Sequence, residues 1–114
     1  MKQIEKTITI RTLLIQDNNS WSIQCLEYDV AAQGETIEEA EDAFEKTFLG
    51  QIFLDIHENK EPLEGIEKAP KVFWDMFDKA EQPKDPRRFC ARNWSLPGFI
   101  INTQTDDSRV AYAI

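Results

Sequence analysis

Trp21-Ser22-Ile23-Gln24-Cys25-Leu26-Glu27-Tyr28-Asp29-Val30-Ala31-Ala32-Gln33-Gly34-Glu35-Thr36-Ile37-Glu38-Glu39-Ala40 reads as two short strands, a glycine turn and the start of a capped helix. Trp21, Ile23 and Cys25 alternate with Ser22 and Gln24, the period of a strand with one face buried; Leu26 and Tyr28 extend it with a shift of face. Val30 to Gln33 forms a further strand, ended by Gly34, whose missing Cβ permits the turn into a helix. Thr36-Ile37-Glu38-Glu39 is a capping box: the threonine hydroxyl accepts from the Glu39 amide, and the Glu39 side chain reaches back to the cap. Glu38, Glu39, Glu41 and Asp42 place negative charge at the positive end of the helix dipole.

Upstream, Ile8, Ile10, Leu13 and Ile15 recur at nearly period two between Thr7 and Ile15, and Asp17-Asn18-Asn19-Ser20 supplies the turn of a hairpin. Downstream, Ile37, Ala40, Phe44, Phe48, Ile52 and Ile56 recur every three or four residues and predict a helix to about His57 with one apolar face. Leu49 and Phe53 widen that face beyond what three strands cover, so the later chain or a second subunit is expected on their flank, with Gly50 permitting close approach. Asn59, Pro62 and Gly65 mark a loop, and Pro70 opens a shorter helix to about Lys79. From Glu81 to Asp107, Pro83, Pro86, Pro97, Gly98 and Asp106-Asp107 predict an extended arm, and Arg109 to Ile114 alternates as a strand returning to a sheet edge.

The 114 residues suit one α+β domain over residues 1–80 with a C-terminal arm over 81–114: a small antiparallel sheet of three or four strands on one long helix, with a short second helix. No apolar run approaches the roughly 20 residues that span a bilayer, and the N-terminus lacks the apolar core of a secretion signal, so a cytoplasmic location is expected. Cys25 and Cys90 lie in no metal-ligand spacing and are expected reduced. The net charge of −8 opposes non-specific attraction to phosphates and favours a basic partner. Residues 1–66 hold 14 acids against 5 Lys and Arg, and residues 67–114 hold 7 against 8, so the negative field belongs to the N-terminal part.

The phrase from Gln24 to Thr36, the Glu38-Glu39-Ala40 helix start, and the later runs Leu49 to Asp55 and Ala69 to Trp74 resemble the HicB-like antitoxin family, specifically a longer, solitary subgroup. The resemblance covers roughly residues 10 to 80. It implies a truncated ribonuclease H-like fold and, for paired members, the binding and blocking of a small basic RNA-cleaving toxin. Paired members also carry a DNA-binding module; the proline-rich tail does not fit a helix-turn-helix. Lys6 to Arg11 looks like the DNA-reading strand of a ribbon-helix-helix protein but is followed by a hairpin instead of two helices.

Three functional readings follow. The leading one is a non-enzymatic interaction module without cofactor or metal, a homodimer that engages a basic protein through Glu27, Asp29, Glu38, Glu39, Glu41, Asp42 and Glu45. Leu49, Phe53, Phe99, Val110 and Tyr112 are the candidates for self-association. The alternative is an RNA or other nucleic-acid-binding module, in which Arg87, Arg88 and Arg92 contact phosphates while Phe89 and Trp94 stack on bases; the plainer reading of that arm packs its aromatics on a neighbour's flank. The weaker alternative is a divalent-ion-dependent nuclease using Glu27, Asp29, Glu35 and Glu39, since such sites need clustered carboxylates. His57, flanked by Asp55 and Glu58, is read as a surface residue that stabilises the helix C-terminus.

Overall fold

The alternation around Ile8 and Ile10 extends into a strand of 14 residues, β1 (Ile4–Asp17). A computed structural model describes residues 4–80, 82–83, 91–96 and 98–112, with side chains over 4–80, 94–96 and 98–111. β1 turns at Asn18, which takes the left-handed φ of 54° that asparagine tolerates, into β2 (Ser20–Cys25). β2 pairs antiparallel with β1 and, on its other side, with β3 (Ala31–Gly34). Helix α1 (Ile37–His57) follows at once, and α2 (Lys71–Lys79) begins after Pro70. Three more strands complete the order: β4 (Gln82–Pro83), β5 (Ala91–Leu96) and β6 (Phe99–Tyr112).

The six strands of the described residues belong to one mixed sheet, ordered β3-β2-β1-β6-β4 with β5 also on β6. The α+β class and the predicted hairpin, third strand and long helix are therefore present. The expectations of a three- or four-stranded antiparallel sheet, an extended arm and an edge position for the last strand are not met. β6 lies inside the sheet, parallel to β1 from Ile4 opposite Phe99 to Gln16 opposite Tyr112, with β4 and β5 antiparallel on its far side.

The physical reason is that two of the residues read as breakers, Gly98 and Asp106, are the turn of the β5–β6 hairpin and a bulge in the ladder between β6 and β1. Gly98 takes a φ of 82°, which closes the tight connection that sets Leu96 against Phe99. At Asp106 the register with β1 slips by one, Ile10 facing Thr105 and Arg11 facing Asp107. The slip reverses which residues of β6 face α1. Ile101 and Thr103 do so before it, while Ser108 and Val110 do so after it and Arg109 and Ala111 turn to the α2 side.

Each helix covers one face. Under α1 lie Ile8, Ile10, Leu14, Ile23, Cys25 and Ile101, packed against fully buried Ala40, Phe44, Phe48 and Ile52. Under α2, Leu13 and Leu26 pack against Ala69 and Phe77, with Ile15, Phe73, Trp74 and Ala111 half-buried around them. α2 reaches only one end of its face. Toward the start of β1, Glu5, Thr7 and Thr9 stay exposed, and two of them bond across the sheet, Glu5 Oε1 accepting from Asn102 Nδ2 at 3.0 Å and Thr9 Oγ1 from Gln104 Nε2 at 3.1 Å.

Candidate partner-binding surface

The predicted acids divide into those that hold the fold and those that face outward. Glu27 holds the fold. Its Oε1 accepts from the Arg11 backbone N–H at 2.7 Å and its Oε2 from Arg11 Nε at 2.6 Å, while the Leu26 N–H donates to the Arg11 carbonyl. The carboxylate thus satisfies the amide of β1 at the point where β2 leaves it. The same guanidinium lies 4.7 Å from the centre of the Trp74 ring, which ties the central strand of the sheet to α2. Asp29 is exposed; its Oδ1 accepts from Gln24 Nε2 at 3.0 Å and its N–H donates to the Glu67 carbonyl. Glu39 completes the predicted cap with one difference. Its N–H donates to Thr36 Oγ1, but its own Oε2 accepts from the Glu35 N–H at 2.8 Å, one residue earlier than the usual capping box.

Glu38, Glu39 and Asp42 are exposed along the outer face of α1, and Glu41 and Glu45 are half-buried at its flank. Glu35 and Glu39 also line an open cleft with Ser20, Gln33 and Gly34, where β3 enters the helix. A second hollow of about 250 Å³ lies on the α2 side of the same strand, between Ile15, Ser22, Gln24, Ala31, Ala32, Gln33 and Phe73. β3 is thereby flanked by a partly apolar hollow on one face and by acids at both ends. Among the described residues nothing pairs with its outer side.

The nuclease set is dispersed into these separate duties: Glu27 on Arg11, Asp29 on Gln24, Glu39 in the cap. No group of three His, Cys, Asp or Glu able to hold a metal ion occurs among the described residues. The Cys25 thiol is fully buried, and burial pushes it up to about 12, against which backbone hydrogen bonds are a smaller opposing effect, so it is no nucleophile at neutral pH. His57 is exposed in the last turn of α1, as read. No helix among the described residues is long and apolar enough to cross a membrane.

Of the nucleic-acid candidates, Trp94 packs half-buried against the cluster beneath α1. Arg87, Arg88 and Phe89, the side chains of Arg92 and Tyr112, and Cys90 lie outside the described residues. Of the self-association candidates, Phe99 and Val110 join the same cluster, Leu49 is half-buried, and Phe53 stands 52% exposed on the outer face of α1 beside Leu54 at 49%. Gly50 has nothing within 4 Å of where a Cβ would stand among the described residues, so none of them makes the close approach it was expected to permit.

Sequence reasoning missed Asp55. Its Oδ2 accepts from the buried Leu63 N–H at 2.7 Å and its Oδ1 from Gln51 Nε2 at 3.0 Å, anchoring the loop that leads from α1 toward α2. The signal was available, because Asp55 falls three residues after Ile52 on the buried stripe, where an acid has to be satisfied by something. The hollow beside Phe73 had no such signal, since it depends on how far α2 extends across the sheet. Compared with family models, curated proteins and solved structures, the chain finds no match.

Proposed function

We propose that the chain is a non-enzymatic protein-interaction module, of the kind a solitary HicB-like antitoxin would be, that holds a basic protein partner in the cytoplasm. One observation carries this reading: exposed Glu35, Glu38, Glu39 and Asp42 gather at the start of α1, next to a sheet edge whose outer side pairs with none of the described residues. Such a field attracts a cationic surface and repels phosphate backbones. Exposed Phe53 and Leu54 further along the same helix support association of two copies.

The test is retention of proteins from native cell extract by the tagged chain at moderate salt, before and after nuclease treatment. A basic protein that survives nuclease and is lost from the Glu38→Lys, Asp42→Lys double variant is the expected result. Capture that disappears with nuclease, or capture of the chain alone, would overturn the reading in favour of RNA binding or self-association.

A further inference from the structure

β3 is the one strand of the β1–β3 meander whose outer side has no described neighbour. The ladder to β2 fixes which of its amides face outward. Cys25 N–H donates to the Val30 carbonyl, so the bonded pairs continue as Ile23 with Ala32 and Trp21 with Gly34. The peptide groups of Ala31 and Gln33, which belong to the intervening non-bonded pairs, are therefore directed away from the sheet and take no partner among the described residues. Edge strands are commonly protected by being short or by a proline, a lysine or a bulge; Ala31-Ala32-Gln33-Gly34 is short but carries none of the other three, so its outward peptide groups stay open to a partner of matching length.

The surroundings select what can pair there. At the start of the strand stand exposed Asp29 and Glu67, and at its end Glu35 and Glu39. A second copy is disfavoured. The antiparallel register that sets Ala31 opposite the other copy's Gln33 also sets Asp29 opposite Glu35 at both ends, and like charges directly across a ladder are destabilising. A strand with cationic residues at its ends meets acids there instead. Between them, a side chain on the α2 face enters the hollow of Ile15, Ala31 and Phe73, which suits a small or β-branched apolar group.

We propose that the outer edge of β3 takes up an extended, lysine- or arginine-bearing segment of the partner as an additional strand. The proposal rests on the interaction reading above and names its site. It is tested with octapeptides selected from a random display library against the full chain, their affinities then measured by fluorescence anisotropy. Selected peptides should alternate cationic or polar with β-branched residues, and should bind at least about tenfold more weakly to Gln33→Pro, which removes an outward N–H without touching the ladder to β2. The loss in Gln33→Pro should exceed that in Gln33→Ala, which keeps the N–H and removes only a side chain that lines the hollow.

Backbone N-methylation of the peptide should cause the same loss and provides the test should Gln33→Pro fail to fold. Peptides that bind Gln33→Pro or tolerate N-methylation as well as the parent, or a selection yielding acidic peptides or none, overturn the proposal. If a basic protein from extract binds the parent and Gln33→Pro equally, strand addition fails while the interaction reading stands. If the parent captures no protein at all, it is the interaction reading that fails.

Discussion

A methyl group added at Gly34 would stand 2.5 Å from the Ala40 amide nitrogen and 2.7 Å from the Glu39 carbonyl carbon, both backbone atoms of α1 that cannot swing aside. Gly34→Ala should therefore destabilise the fold by about 1–3 kcal/mol in urea denaturation, the cost of overpacking against rigid atoms. This glycine was legible as a turn residue, but the close approach that requires it was not, because it arises from the seating of the helix on β3. Asp55 is the converse case. Asp55→Ala leaves the buried Leu63 N–H without its acceptor, at a residue already held at a φ of 65°, and should cost about 1–3 kcal/mol with early proteolytic cutting between residues 58 and 70. The Cys25 thiol gives a pH signature. Burial raises it from about 9 in the unfolded chain to about 12, so its stabilisation of the fold is complete below pH 9 and is lost as the pH climbs toward 12. Measured against Cys25→Ala, the parent should lose about 1 kcal/mol of its advantage between pH 9 and pH 10.

Among the elements, α1 was readable to its ends because two independent signals coincide: Thr36 caps it and the Phe44, Phe48, Ile52 spacing continues to its last turn. Thr36→Ala should cost about 1 kcal/mol by thermal or chemical melting, since the Glu39 amide then loses its side-chain acceptor. The β5–β6 hairpin was unreadable for an equally specific reason. Prolines and paired aspartates are punctuation in most sequences, and only the partner strand reveals that Gly98 is a two-strand turn and Asp106 a bulge. Within β6 the alternation itself changes phase at that bulge, with Ile101 and Thr103 on one side of it and Ser108 and Val110 on the other, so no single period-two pattern spans the strand. The candidate surface was half legible. The acids of α1 stood in the sequence, whereas the diversion of Glu27 to Arg11 and a β3 outer side unpaired among the described residues are properties of the assembled sheet.

At the scale of the whole molecule, the apolar surplus predicted on α1 is present and uncovered at Phe53. If two copies associate there, sedimentation velocity should show a sedimentation coefficient that rises with concentration for the parent and stays constant for Phe53→Glu, with the fold intact by circular dichroism. The sheet also has a temporal order imposed by its topology. Thr9 and Gln104 lie side by side across the β1–β6 ladder yet are separated by 95 positions in the chain. At about 5–20 residues per second of synthesis, roughly ten seconds pass between the emergence of the two strands. Throughout that interval β1 has its hairpin partner on one side and nothing on the other, so the nascent protein holds an open strand edge at its centre. Its native state depends on a late, long-range closure that is intrinsically slow, and the newborn chain is correspondingly a candidate for chaperone binding or degradation before the mature protein exists.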